Sequence, residues 1–251
     1  GKRVTIADRD TPERFGGLAL WAFGGMALVG TPLQARMKIP DTPEVALRDW
    51  LRFGEIASDD LYPQQWARYY VEHSRAEVYD WLLGEGVKFM PAVNWVERGM
   101  HGDGNSLPRY HVVWGTSREL TRRMIAALHA ADSDGRLTLM HRHRITALDH
   151  QAGQINGAVA VCEQSGAEVR LQAPVVVLAM GGISGSHGQV RANWPKLRPI
   201  PTDMLNGAHP FADGKLHQHV ADKLGGQITH AGEMWNYAAG FPHPYPHFEG
   251  H

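Results

Sequence analysis

An α/β fold organised around a parallel sheet is what the sequence predicts, and three observations predict it. The short run Val4-Thr5-Ile6-Ala7 stops on Asp8, the pattern of a buried parallel strand with an acid at its tip. Pro174-Val175-Val176-Val177-Leu178-Ala179-Met180 is apolar without alternation, hence a strand buried on both faces, and it breaks at Gly181-Gly182. Between these runs lie stretches of helical period followed by segments of period two.

Taken in order, residues 9–40 read as a glycine-punctuated loop. Thr42, Pro43 and Glu44 supply an N-cap, a proline at the first helical position and an acid in the first turn. They open a helix over about 43–53, with Val45 and Leu47, or Trp50 and Leu51, facing inward. Trp66, Tyr70, Val78, Trp81 and Leu82 recur near helical spacing and predict one long helix over 63–83, with Gly84 and Gly86 as caps. Thr116 and Glu119 form the pattern of a capping box for a helix over 117–131, with Leu120, Met124, Ala127, Leu128 and Ala131 on one face. The period then changes. Leu137–Met140, Ile145–Leu148, Ile155–Val161 and Val169–Leu171, with turns at Gly153 and Gly166, predict an antiparallel meander over about 137–172. A helix over 214–224 runs from Asp213-Gly214 to Gly225-Gly226. The tail from Phe241 is rich in proline and histidine, and no internal repeat is visible.

Composition narrows the classes of function. The chain has 251 residues, 43% of them hydrophobic and 20% charged, which suits one large domain or a domain with a smaller companion. A net charge of −1 offers no basic surface for nucleic acid. Cys162 is the only cysteine, so an internal disulfide and a multi-cysteine zinc site are excluded, and a reducing, cytoplasmic setting is expected. The apolar stretch Leu18–Val29 is interrupted by Gly24-Gly25 and falls short of the ~20 residues that span a bilayer, so no membrane span is expected. The chain opens at Gly1-Lys2-Arg3 and closes at Phe248-Glu249-Gly250-His251, and reads as a segment of a longer protein.

Three groups of residues carry chemistry. Asp8 at a strand tip has the placement of the acid that accepts ribose hydroxyls in dinucleotide-binding folds, although an acid after an apolar run also serves as a solvated turn residue. Gly16-Gly17 and Gly24-Gly25 let a backbone approach a ligand and present N–H groups to phosphate, although such pairs also make flexible loops. Ala179-Met180-Gly181-Gly182 ends a buried strand, where parallel sheets hold ligands; an ordinary strand-to-loop turn has the same appearance.

In order and separation these elements resemble the fumarate reductase/3-ketosteroid dehydrogenase family of FAD-dependent flavoproteins. The matching residues are Asp8, Gly16-Gly17, Gly24-Gly25, the strands at 137–171, Ala179 with Gly181-Gly182, and Asp213-Gly214; Arg109-Tyr110-His111 with Gly115 also fits. The resemblance covers nearly the whole chain. It implies a Rossmann-like FAD/NAD(P)-binding domain over 1–232, with an inserted β-meander, and the start of an α+β substrate cap domain over 233–251, entered through Glu233-Met234-Trp235-Asn236-Tyr237. Asp8, with Arg9 beside it, would bind the adenosine ribose. Gly16 and Gly17 would lie along the pyrophosphate and ribityl chain, and the loop from Leu18 to Gly24 and Gly25 would pass near the isoalloxazine. Ile145 would pair with adenine through its backbone. Ala179, Gly181 and Gly182 would support the adenosine half, and Asp213 and Gly214 would mark the return toward the flavin.

The departures are as informative. No G-x-G-x-x-G is present, so the segment is expected to lack the first strand and its glycine-rich turn. Met180 replaces the usual Thr, and Leu18 stands where some relatives carry a flavin-linking His, so FAD is expected to be noncovalent. The resemblance implies hydride transfer between flavin and a C–C bond next to a carbonyl of a small organic substrate. The catalytic residues would lie in or beyond the cap, so none is named and this segment alone is not expected to be a complete enzyme. Oligomeric state is not readable. The alternative is a truncated, non-catalytic nucleotide-binding or interaction module.

A third class, a histidine-dependent metalloenzyme, has little to rest on. His141 and His143 share one face of a strand, but His243, His247 and His251 alternate with prolines that exclude a helix, and no carboxylate or cysteine clusters with them. No metal site is therefore expected. Ser184 and Ser186 lack the G-x-S-x-G order of a nucleophile turn. Trp21 and Trp235 are the tryptophans whose positions suit contact with a flavin or substrate.

Overall fold

The computed structural model describes residues 2–96, 103–234, 240–242 and 244–245. In chain order the elements are β1 (Val4–Ala7), β2 (Gly25–Ala27), α1 (Pro32–Arg36), α2 (Pro43–Phe53), α3 (Leu61–His73), α4 (Trp81–Gly84), β3 (Phe89–Asn94), β4 (Tyr110–Val113), α5 (Thr116–Ala130), β5 (Leu137–Met140), β6 (His143–Gln151), β7 (Gln154–Cys162), β8 (Glu168–Gln172), α6 (His187–Ala192) and α7 (Lys215–Leu224). They fall into two compact units, Gly1–Leu18 with Gly135–His251, and Ala19–Asp134.

In the first unit β1 and β5 pair in parallel, with Val4 opposite Leu137 and Ala7 opposite Met140. β6, β7 and β8 form an antiparallel sheet in that order, with a bulge in β6 at Thr146 and one in β7 at Asn156. Ala158, Val159 and Ala160 of the central strand are buried. β7 and β8 meet closely enough at Gly157 that a Cβ there would run into the Leu171 carbonyl. α7 lies against β6, and His219 Nε2 accepts the Leu148 N–H at 3.2 Å beside the bulged stretch. Gly214 (φ 75°) and Gly225 (φ 69°) bound α7, each in the left-handed region that glycine enters without a Cβ penalty.

Two expectations change here. Leu137–Met140 does not belong to the meander, which begins at His143; β5 instead takes β1 as its parallel partner. Period-two patterning cannot decide which strand a short segment pairs with. Residues 174–180 form no strand either. They run without ladder partners among the described residues, and Val175 and Val177 are 69% and 83% exposed. A continuous apolar run becomes a buried strand only when neighbours cover its edges and both faces.

The second unit contains β2, β4 and β3 as an antiparallel sheet with β4 in the centre. Its helices begin where the residues dictate. Thr31 and Gln34 close a full capping box on α1, and Thr42 Oγ1 accepts the Val45 N–H at the start of α2, with Pro43 as its first residue. The helix expected over 63–83 is interrupted: α3 passes through an i→i+5 stretch at Ser74–Asp80 before α4. At that break Ser74 is buried and its Oγ accepts the Val29 N–H at 3.3 Å. Trp66 and Trp81 point to solvent; Ala67, Val71 and Leu82 take the buried positions. Likewise α2 buries Ala46 and Asp49. The capping box at Thr116 and Glu119 does not form. Thr116 has φ 64°, Gly115 precedes it at φ 91°, and Glu119 is held by Arg122 and Arg123 instead.

The core of this unit is apolar around one charged knot. Leu28, Leu33, Tyr79 and Val93 form one cluster, and Leu82, Val87 and Val113 another, which Leu120 and Met124 of α5 complete. Beside them Arg109 is bound by Asp41 through Nε and Nη2, each at 2.8 Å, and by Asp49 through Nη1 at 2.7 Å, with all three side chains buried. Gln34 donates to Asp41 at 2.9 Å, and Ser106 donates to Asp49 through its N–H and its hydroxyl. Burial alone would push Asp49 upward, but the hydrogen bonds from Ser106 and Arg109 hold it below its ordinary 3.8.

Replacing Arg109 by Met should cost about 3–5 kcal/mol, because Asp41 would stay buried without its cation and Asp49 would keep only the longer ion pair with Arg52. Wild-type stability should fall as pH drops below about 4, as Asp49 loses a stabilisation that is complete above its unfolded value. In R109M Asp49 keeps the Ser106 bonds but loses the lowering by Arg109, so its carboxyl lies higher than in wild type, and urea unfolding at pH 7 and pH 4 should show the gap to wild type narrowing in acid.

Candidate functional site

The end of β1 is fixed by backbone bonds on both sides. Asp8 N donates to the Met140 carbonyl at the end of β5, and the Asp8 carbonyl accepts from His143 N at the start of β6, both at 2.9 Å. The side chain is thereby aimed rather than left to a mobile turn. Its Oδ1 accepts the Asp10 N–H at 2.8 Å. Oδ2 has no partner among the described residues, and the residue is half-buried. An anchored carboxylate with one free oxygen can take a hydrogen bond from a ligand hydroxyl.

Arg9 faces a different task. Its Nε reaches Glu163 at 2.7 Å, its Nη1 reaches Asp213 at 3.0 Å, and the guanidinium carbon lies 4.2 Å from the Phe211 ring centre. Glu163 is shared with Arg144 at 3.0 Å, and Asp213 Oδ1 accepts the Lys215 N–H at 3.1 Å. Burial pushes both carboxyls up, but Arg9 and Arg144 around Glu163, and Lys215 N–H with Arg9 at Asp213, outweigh it and hold both low. The side chains of Arg9 and Asp213 are thus committed to one another.

The glycines divide by what surrounds them. Gly16 and Gly17 both have positive φ, 113° and 54°, and a Cβ on Gly17 would meet nothing within 4 Å. A Cβ on Gly182 would also point into open space, while Gly181 sits at φ 70°. These turns are shaped for backbone exposure and have room beside them. Gly185 is the opposite case: its Cβ would collide with the carbonyls of His209 and Ala212, and its N–H donates to Ala212 at 2.9 Å. Gly214 packs on Ile183. Ala179 and Leu18 are exposed.

Ile145 is placed by the ladder. Glu163 N donates to Arg142 O at 2.8 Å, which makes His143–Cys162 a non-hydrogen-bonded pair, and Ile145–Ala160 is the next of that kind. Ile145 therefore turns its N–H and C=O away from β7, toward the outer edge of the sheet, where its sequence position alone could not place them.

Gly24 and Gly25 lie in the second unit and have a packing reason of their own. A Cβ on Gly24 (φ 83°) would come within 2.6 Å of Ser117 N, and one on Gly25 would enter the Tyr110 ring. Trp21 is 49% exposed, and Trp235 lies outside the described residues. Ser186 caps α6 by accepting from Gln189 N. His143 Nδ1 bonds the His141 carbonyl, and His141 packs edge-on against Phe15. Among the described residues no group of three or more His, Cys, Asp or Glu could hold a metal, and no helix is long and apolar enough to cross a membrane; His243, His247 and His251 lie outside them. Sequence reasoning missed Asp10 and His209, a buried pair at 3.0 Å whose only signal is an acid two residues beyond Asp8.

Comparison with known proteins shows the family and the fold. A family model described as FAD binding domain matches residues 1–251. A KsdD-like steroid dehydrogenase of Mycobacterium tuberculosis is 34% identical over 271 residues, covering 100% of this chain and 47% of that protein. A KsdD-like steroid dehydrogenase of Mycolicibacterium smegmatis is 34% identical over 269 residues, covering 100% and 48%. The chain therefore spans about half the length of these relatives. In fold it is similar to the 3-ketosteroid-Δ4-(5α)-dehydrogenase of Rhodococcus jostii RHA1 in complex with 4-androstene-3,17-dione, with TM-score 0.68, 22% identity, and 87% of this chain and 48% of that chain covered. A flavocytochrome c3 fumarate reductase in its open conformation gives TM-score 0.68 and 22% identity, covering 87% and 36%.

The two kinds of glycine should separate in a stability measurement. Gly185→Ala should cost about 1–3 kcal/mol in urea unfolding because two carbonyls block the methyl, whereas Gly182→Ala should stay within about 0.5 kcal/mol of wild type.

Proposed function

The chain belongs to the FAD binding domain family, and on that premise we propose that it is the flavin-holding part of an FAD-dependent dehydrogenase acting on a steroid-like ketone. FAD is the cofactor of this family. The observation that carries the reading to particular residues is Asp8: a carboxylate fixed at the tip of β1, with one oxygen free, near in sequence to the open glycine turn Gly16-Gly17. That set fits FAD. The free Asp8 oxygen would accept a ribose hydroxyl, Gly16 and Gly17 would admit the pyrophosphate and ribityl chain, and the outward backbone of Ile145 would pair with adenine.

Bound FAD would supply hydride transfer to or from the carbon next to a carbonyl. The residues of this chain would bind and orient it. Ala179, Gly181 and Gly182 would flank the adenosine half, Leu18 would meet the flavin without a covalent link, and Arg9 with Asp213 and Gly214 would form a wall braced by their own ion pair. Gly24 and Gly25 would hold β2 near Tyr110 within the second unit. We assign 1–232 to a Rossmann-like FAD domain and 233–251 to the start of a substrate cap, where the proton-handling groups would follow. The names of the mycobacterial relatives favour a steroid substrate, and a single cysteine favours the cytoplasm.

Purified protein should carry, or take up from added FAD, absorbance near roughly 370 and 450 nm that reductant bleaches. Asp8→Ala should weaken FAD binding by about tenfold or more through the lost hydrogen bonds to a charged acceptor. Gly182→Ala should weaken it without loss of stability. A colourless protein that takes up no FAD would overturn the reading in favour of a non-catalytic module.

A further inference from the structure

Two buried polar side chains of the first unit have no place in the binding scheme above. Asp10 is 6% exposed and His209 8%, and they meet at 3.0 Å between Asp10 Oδ2 and His209 Nε2. Phe211 N donates to His209 Nδ1 at 3.2 Å, so the ring carries its proton on Nε2 and donates it to Asp10. Every polar group of Asp10 is used. Its N–H goes to Asp8 Oδ1, its carbonyl accepts Arg142 N, and its Oδ1 accepts Thr11 N. One residue thus ties the exit of β1 and the β5–β6 turn through its backbone, and the segment around His209 through its side chain.

That segment closes on the second glycine turn. The His209 carbonyl accepts Ala212 N, the Ala212 carbonyl accepts Gly185 N, and Asn206 Nδ2 donates to the Gly185 carbonyl at 3.2 Å. Gly185 is the residue whose side chain would strike both carbonyls. Residues 206–212 therefore form a strap over the loop that follows Gly181-Gly182, latched at His209 to the loop that leads into Gly16-Gly17. A buried carboxylate facing a neutral imidazole is an expensive latch if fold stability alone is served. We infer that Asp10 and His209 are positioning residues: their hydrogen bond sets the spacing of the two glycine turns, and through it the affinity for the dinucleotide, without either side chain touching it. The inference rests on the FAD reading above.

The test is FAD titration by flavin fluorescence, together with amide hydrogen exchange, in the purified protein. Asp10→Asn turns an N–H toward the ring and breaks the donor order. It should raise the Kd for FAD about tenfold and speed exchange at Gly185, with the far-ultraviolet circular dichroism unchanged. His209→Phe should do the same, while His209→Gln, which keeps a donor at the Nε2 position, should stay within about threefold of wild type. Unchanged affinity and exchange in Asp10→Asn, or equal damage from His209→Gln and His209→Phe, would overturn the latch. If Asp10→Asn does not fold, the two His209 variants decide the question. Wild-type protein that binds no FAD would instead sink the cofactor reading, and exchange at Gly185 in the variants would still decide whether the strap is held this way.

Discussion

The carboxylate of Asp8 is useful only because its backbone is fixed on both sides. The β1–β5 pairing ends in the bond from Asp8 N to Met140 O, and the meander begins with the bond from His143 N to Asp8 O. Three strands therefore converge on one residue, and its side chain leaves them with one oxygen already occupied. Ligand groups sit at the carboxyl ends of parallel strands because strand ends expose oriented polar atoms where the chain must turn. Arg9 leaves the same strand end and is braced there by Asp213, and the outward backbone of Ile145 follows two residues after the β6 start that this convergence fixes.

The second unit is organised by a different economy. Arg109, Asp41 and Asp49 form a buried charge cluster; Gln34 adds a donor to Asp41, Ser106 adds two to Asp49 Oδ2, and Arg52 takes Asp49 Oδ1. Such a cluster gives little net stability, yet breaking it is costly, and that asymmetry specifies how residues 41–49 and 103–109 pack. Gly24 and Gly25 belong to the same logic, since they let β2 approach Tyr110 and the start of α5. Glycine pairs in one chain thus serve opposite ends: clearance at Gly17 and Gly182, contact at Gly24, Gly25 and Gly185.

Local chemistry was legible at helix ends where no neighbour competed for the capping groups. α2 begins at Pro43 and ends at Phe53 as its caps predict, and α7 runs between its two bounding glycines. Reading failed where two local partners competed or a distant residue had a vote. The box at Thr116 and Glu119 lost to Arg122 and Arg123, three and four residues on, both of which bind the same glutamate. The helix over 63–83 yielded to an i→i+5 stretch where buried Ser74 binds Val29. Residues 174–180 have the composition of a buried strand, but composition cannot supply the neighbouring strand that would make them one.

Sequence alone therefore determined the α/β class, the family, its cofactor and the residues worth inspecting, because an acid at a strand tip and glycines in order are signals read along the chain. Only the tertiary structure decided which of those residues keep a free atom. Asp8 retains an open oxygen and Gly17 an open side, while Arg9 and Asp213 are spent on each other and Gly25 on Tyr110. The Asp10–His209 latch spans 199 positions of sequence, and no local pattern announces it. The reason is physical: a hydrogen bond satisfies whichever donor and acceptor the fold brings to about 3 Å, and that proximity is a property of the folded chain.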